Sequence, residues 1–378
     1  MIKVSKGTLG AEELERVEQA MAYGYFGMSS LVAEFEQALR AYLGAEHVLA
    51  VNSGTSALHL ALASLGLGPG DEVILPSLTF VGAFQAISAT GATPIPCDVH
   101  SHTLLIDLAD VERRITSRTR VIMPVHYAGN PCDLDGLHDL GRRKGIRVVE
   151  DAAHAFGSLY KGKKIGGFGD VACFSFDSIK NITCGEGGAI VCREDVLAKT
   201  IRTKRAVGID RDVPGLAAKR GWAYEVHTQG YRYHMSTINA AIGLAQLRKL
   251  DTFAARRRQI CERYDAAFSD LSGLTTLPID YRTVTPHIYV VRVEDGRRDD
   301  LLAYLRDREI EGGINYIPNH LQPFYRTDGV ALPNTERAFR EILTLPLHCG
   351  LSDDDVSRVI DAVTAFVRGA ATVPRADA

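Results

Sequence analysis

Short apolar runs alternate with segments of helical period along most of the chain. His47–Val51 is one such run and ends in Asn52-Ser53-Gly54. Thr55–Leu65 then carries apolar residues at 58, 61, 62 and 65, the spacing of one helix face, and Gly66, Gly68, Pro69 and Gly70 stop it. Glu72–Pro76 reads as a strand, 81–88 as a helix, 93–96 and 120–125 as strands, and 134–144 as a helix. Further strands are expected at 147–151, 172–176 and 188–192. Their apolar runs are continuous, as in strands buried on both faces, so the pattern implies an α/β domain with a mostly parallel sheet covered by helices on both sides.

A long helical pattern begins at Ser236 and continues through Arg256–Phe268. Beyond it come shorter elements: 287–293 alternates like a strand, and 299–309 and 356–367 read as helices. The chain is therefore divided at 249/250 into a large α/β domain with the N-terminal segment (1–249) and a smaller α+β domain (250–378) whose tail, 370–378, is expected to fray. The length of 378 residues fits two domains. A net charge of −3 gives no basic excess for a nucleic-acid partner, and no apolar stretch approaches the ~20 residues of a membrane span. The start, Met1-Ile-Lys-Val-Ser-Lys-Gly, lacks the apolar core of a signal peptide. Seven cysteines at scattered spacings, with no CxxC, read as reduced thiols in a cytoplasmic protein.

Four stretches carry candidate chemistry. Ser53-Gly54-Thr55-Ser56 lies between a strand and a helix, where unpaired amides and the helix dipole favour an anion; its simpler reading is an N-cap. Glu150-Asp151-Ala152-Ala153-His154 ends a strand at the sheet edge where open α/β folds bind ligands. A carboxylate there serves to bind a metal, to act as a base, to hold a protonated ring nitrogen, or merely to cap the next turn. In Ser175–Gly188 a lysine, Lys180, leaves a strand and enters a glycine-rich turn; a desolvated lysine forms Schiff bases, whereas a surface lysine in a turn does nothing. Gly230–Ser236 presents Arg232 ahead of the long helix, as an anion contact or as part of a packed aromatic loop. Gly157–Lys164 is not a phosphate loop, because Lys164 stands where Ser or Thr would hold magnesium, and the absence of HExxH leaves no metal expected.

Taken in order, NSGTSALHLAL (52–62), PVHYAGNPCDLD (124–135), EDAAHAFGS (150–158), FSFDSIKNITCGEGGAI (174–190), GYRYHMSTINAAIGLAQL (230–247) and LPLH (345–348) resemble the DegT/DnrJ/EryC1/StrS sugar aminotransferases. The resemblance implies an aspartate-aminotransferase-like fold (fold type I) and pyridoxal 5'-phosphate (PLP) as cofactor. It implies that Lys180 binds the cofactor covalently and shuttles a proton. Asp151 then pairs with the pyridine nitrogen, Gly54, Thr55, Ser56 and Ser175 cradle the phosphate, and Phe80 stacks on the ring. His154 stands where glutamine is common, and Arg232 where an asparagine often reaches the neighbouring subunit's phosphate. Substrate contacts are expected from Tyr25, Phe26, Tyr316, His320 and Gln322, each with interface packing as its simpler role. The implied reaction moves an amino group, with L-glutamate as donor, to a keto group of a nucleotide-linked sugar in a homodimer. Cyclitol and aminoshikimate-type aminotransferases stay open as alternatives, with a sugar dehydratase (which has histidine in place of the lysine) and a cofactor-less regulatory protein behind them.

Overall fold

The computed structural model describes residues 1–210, 224–326 and 329–369. The tail expected to fray, 370–378, lies outside the described residues. Two helices, α1 (Ala11–Ala22) and α2 (Ser30–Leu43), precede the alternating region. That region runs β1 (His47–Val51), α3 (Gly54–Ser64), β2 (Glu72–Pro76), α4 (Val81–Ser88), β3 (Thr93–Cys97), α5 (Leu108–Arg114), β4 (Thr119–Ile122), α6 (Leu134–Lys144) and β5 (Arg147–Asp151). A two-stranded hairpin, β6 (Leu159–Tyr160) and β7 (Lys163–Lys164), takes up the glycine-lysine segment rejected as a phosphate loop. Then come β8 (Val171–Ser175), β9 (Gly188–Cys192) and α7 (Asp195–Arg205).

Seven strands form one sheet in the order β1-β9-β8-β5-β4-β2-β3. Only β9 runs against the others, pairing antiparallel with both β1 and β8. Period-two geometry sends alternate residues of each strand to opposite faces. On β9, Ala189 and Val191 enter a core shared with α2, α6 and the start of the long helix, whereas Ile190 and Cys192 enter one shared with α3, α4 and α7. Two apolar faces explain why these strands read as unbroken hydrophobic runs.

After the short pair β10 (Ile209–Asp210) and β11 (Glu225–Val226), the helix α8 runs 32 residues from Thr237 to Phe268. It passes through the expected 249/250 boundary without a break. Its first turns pack on α1 and α2; Ile260, Cys261, Tyr264 and Phe268 then enter a separate core. That core is built on an antiparallel sheet of β12 (Leu274–Thr276), β13 (Tyr289–Val293) and β14 (Ile342–Leu345), with α9 (Arg298–Arg306) and α11 (Asp353–Val367), whereas α10 (Pro333–Glu341) lays Ala338 against the first core. Ile2 belongs to this second core, and its backbone bridges to Ile310, so the first residues pack with the C-terminal layer rather than with the large sheet.

The alternation of β13 does not separate core from solvent. All five residues are buried: Tyr289, Val291 and Val293 face the second core, Val290 the first, and Arg292 is neutralised by Glu341. The seven cysteines are free thiols, six of them buried. Among the described residues no helix is long and apolar enough to cross a membrane.

Asp98, just past β3, joins the two layers. Its carboxylate accepts hydrogen bonds from the Thr335 N–H and hydroxyl, both at 2.7 Å, and from the Asn334 N–H at 3.1 Å. These are first-turn donors of α10, whose own N-cap, Leu332, has no side chain to offer. Asp98→Ala leaves buried donors unpaired and should lower the unfolding free energy by roughly 1–3 kcal/mol, with Asp98→Asn losing less. Urea denaturation of the three proteins measures this; an unchanged midpoint in Asp98→Ala refutes the cap.

Candidate active site

The parallel strands place their C-terminal ends on one edge of the sheet, and the cavity opens there, as open α/β sheets dictate. It measures about 380 Å³ and is bounded by the β1–α3 turn, the β2–α4 turn, the ends of β5 and β8, and the segment around Tyr316. Of the residues singled out in the sequence, Gly54, Thr55, Phe80, Asp151, His154, Ser175, Lys180 and Tyr316 all line it.

Close backbone approach builds the anion end. A side chain on Gly54 would put its Cβ 2.7 Å from the Ser175 Cβ, and one on Gly188 would put its Cβ 2.4 Å from the Ser53 carbonyl oxygen. Both positions therefore need glycine if the end of β8 and the start of β9 are to meet the first turn of α3. Ser53 caps α3, accepting from the Ser56 N–H at 3.0 Å, and the two hydroxyls pair at 2.8 Å. Ser56 is thus buried behind the cap and does not line the cavity.

Asp151 ends β5 and is 6% exposed. Burial raises its pKa above the ordinary range, and among the described residues its backbone donor is the Ala153 N–H at 3.1 Å. Behind it, Glu150 is fully buried against His126, with Oε2 3.0 Å from Nε2. The backbone N–H of Cys132 donates to His126 Nδ1, so the proton of this imidazole sits on Nε2 and points at Glu150.

Lys180 lies in the loop between β8 and β9. Its N–H donates to the Asp177 carbonyl at 3.1 Å, and the adjacent Asn181 amide donates to the Phe156 and Thr285 carbonyls at 3.1 and 3.2 Å. The loop is therefore pinned at the residue following the lysine. Desolvation depresses the Lys180 amine to about 8, against the pull of Asp151 and Asp177, with Arg257 adding to the depression. Its Nζ lies 3.3 Å from Nε2 of His287.

His154 and His287 are both buried, with ring centroids 4.3 Å apart, and burial drives both well below the usual histidine range. His154 Nε2 lies 2.9 Å from the Tyr316 hydroxyl, and the Phe80 ring stands 5.8 Å from the Tyr316 ring at the cavity rim. Sequence reasoning passed over His287, which looked like the opening of a strand; no local motif marks a residue whose partner lies 107 positions away. Asp177, Glu186 and Asn315 also line the cavity.

The remaining candidates sit elsewhere. His320 is buried with Nδ1 2.7 Å from the Ser77 hydroxyl, which places its ring in the packing beneath the Tyr316 segment. Gln322 is half-buried and outside the cavity lining, and Arg232 is exposed. Tyr25 and Phe26 are also exposed, at 57% and 48%, with their carbonyls held by the Thr237 hydroxyl and N–H at the start of α8.

A buried acid with a backbone donor, a helix N-terminus faced by Ser175, and a lysine amine depressed to about 8 on one cavity wall suit a phosphorylated heterocycle with a ring N–H and an aldehyde. The model of the DegT/DnrJ/EryC1/StrS aminotransferase family matches residues 8–364. The chain belongs to this family. It is 38% identical over 373 residues to the spore coat polysaccharide biosynthesis protein SpsC of Bacillus subtilis (strain 168), covering 96% of both. The aminotransferase TlmJ from Streptoalloteichus hindustanus superposes with a TM-score of 0.92 at 38% identity, covering 98% of this chain and 100% of that one. DesV of S. venezuelae, solved in complex with a ketimine intermediate, superposes with a TM-score of 0.86 at 36% identity, covering 96% of this chain and 95% of that one. As a member of the DegT/DnrJ/EryC1/StrS family the chain is a PLP-dependent aminotransferase.

The depressed amine has a direct consequence. In cofactor-free protein Lys180 should react with an amine-selective reagent with a pH midpoint near 8, since the reactive species is the uncharged amine and its share grows as pH rises through that value. An ordinary lysine titrates near 10.4. Peptide mapping across pH reads the midpoint, and a value in the ordinary range contradicts the desolvation.

Proposed function

We propose that this aminotransferase transfers an amino group from L-glutamate to a keto group of a nucleotide-linked sugar, acting as a cytoplasmic homodimer. The observation that carries the reading is the shared cavity of the Lys180 amine and the Asp151 carboxylate beside the N-terminus of α3. When bound, PLP supplies the electron-withdrawing ring and the carbonyl carbon through which an amino group is carried.

The chain's residues then divide the work. Gly54, Thr55 and Ser175 hold the phosphate, with Ser56 stiffening the turn through Ser53. Asp151 keeps the ring nitrogen protonated, because a buried carboxylate gains most from a cationic N–H partner. Phe80 covers one ring face, and His154, oriented by Tyr316, meets the polar edge. Lys180 takes the proton from the amino donor's carbon and returns one to the sugar carbon, which requires an amine able to change charge near neutral pH.

SpsC's part in polysaccharide biosynthesis supports a sugar as acceptor. Exposed Tyr25, Phe26, Ile317, Leu321 and Phe324, with Arg232, support a second subunit completing the site. Arg232 then approaches the neighbouring phosphate, while Tyr25, Phe26, Tyr316, Gln322 and the segment braced by His320 meet the sugar. The small domain, from about 250 onward, carries that segment. Cyclitol and aminoshikimate-type acceptors are the alternatives that the acceptor assay separates.

Lys180→Ala should abolish amino transfer while circular dichroism and the unfolding midpoint stay close to the parent's. Borohydride treatment of the PLP-loaded parent should fix the cofactor on the peptide containing residue 180; a tag on another peptide, or normal turnover of the variant, overturns the assignment. Incubation with glutamate and a panel of nucleotide keto-sugars, keto-cyclitols and dehydroshikimate-type acids, read by mass, decides the acceptor. Amination confined to the cyclitols or acids refutes the sugar reading.

A further inference from the structure

Lys180 has to be an uncharged amine to capture an aldehyde, yet it sits in a cavity with two carboxylates, Asp151 and Asp177, whose charges favour the ammonium form. Among the described residues, the hydrogen-bond partner of its Nζ is His287 Nε2, at 3.3 Å. The direction of that hydrogen bond is legible from the rest of the ring. His287 is 4% exposed, and among the described residues its Nδ1 has no hydrogen-bond partner. A buried N–H without an acceptor is rarer and costlier than a bare lone pair, so Nδ1 is the unprotonated nitrogen. Nε2 then carries the hydrogen, and since it faces the lysine, Lys180 must accept. Only the neutral amine has a lone pair with which to do so; an ammonium has three donors and no acceptor.

We propose that His287 is a positioning residue that favours the neutral form of the Lys180 amine by donating Nε2–H to it. The role rests on the assignment of Lys180 as the residue that captures PLP. The ring is well placed for it. The His287 N–H donates to the Ala128 carbonyl at 3.3 Å, and the His287 carbonyl accepts from Arg257 Nη1 at 3.1 Å. Arg257 is buried on α8 and also donates to the Leu347 carbonyl at 3.2 Å, so the small-domain framework fixes the histidine backbone. The groups facing the pair are Asp151 from β5, Asp177 from the β8–β9 loop, His154 beside the ring, and Arg257 from α8. Asp151 and Asp177 favour the ammonium. Arg257 and burial oppose it, and burial keeps both imidazoles neutral. His287 is thus a neutral group that acts on the lysine by hydrogen-bond direction rather than by charge.

The test uses cofactor-free protein and the pH midpoint for labelling of Lys180, read by peptide mapping, in the parent, His287→Phe and His287→Gln. Losing the donor destabilises the neutral amine, so the midpoint in His287→Phe should rise by about half a pH unit to one unit. Phenylalanine is also more apolar than imidazole and by solvation alone would lower the midpoint, so the two causes have opposite signs. Glutamine restores an N–H donor and should bring the midpoint back towards the parent's. The rate of PLP capture at pH 7 should fall in His287→Phe by about threefold to tenfold, the same shift expressed as the loss of free amine. A midpoint unchanged or lowered in His287→Phe overturns the proposal. So does a glutamine variant that behaves like the phenylalanine one. The parent separates this from the reading beneath it: if borohydride fixes PLP on residue 180 and the midpoint still fails to rise, only the role of His287 falls. If PLP is fixed elsewhere, the assignment of Lys180 falls first and this role falls with it. Unfolding midpoints of both variants establish that each is folded before labelling.

Discussion

An amine kept out of water beside carboxylates is the constraint on which the structure turns. Desolvation disfavours the ammonium, and nearby Asp151 and Asp177 favour it. The outcome, an amine that changes charge near pH 8, depends on keeping the cavity walls close and water scarce. Each wall comes from a different part of the chain, so the large sheet, the loop after β8 and the C-terminal layer must all be in register for the lysine to have its chemistry.

The fold achieves this by anchoring the site at the ends of rigid elements. Asp151 and Ser175 terminate β5 and β8, neighbours in the centre of the sheet, and the α3 turn arrives from the edge strand β1 across β9. Glycine at 54 and 188 removes the atoms that would hold these backbones apart. The lysine loop is tied down at Asn181 by carbonyls of residues 156 and 285, one from each layer. Asp98 with the start of α10, and the His287 N–H with the Ala128 carbonyl, make further ties between the layers through buried hydrogen bonds. Such ties are directional, so they fix orientation where apolar contact alone would fix only proximity.

Much of this was written locally. Except at 120–125, where the strand ends at Ile122, continuous apolar runs marked the central strands to within a residue or so, because a strand buried on both faces has no polar side to show. Helices 81–88 and 134–144 have the bounds their periodicity gave. The order of short motifs identified the family, and their positions at strand ends already put Gly54, Asp151 and Ser175 on one edge. Helices α1 and α2 were left unassigned, and the strand at 287–293 was read from an alternation that in the structure distinguishes two cores.

The sequence alone determined which groups are available and where along each strand they stand, since backbone periodicity and turn chemistry act over a few residues. The tertiary structure decided which of those groups meet. It buried Ser56 and His320 in packing and left Arg232 at the surface. It also brought His287 to Lys180 from 107 residues away, because α8 carries the chain into a second core whose strand β13 begins beside the cavity. A hydrogen bond of that kind depends on the placement of whole elements, and no local pattern of residues encodes it.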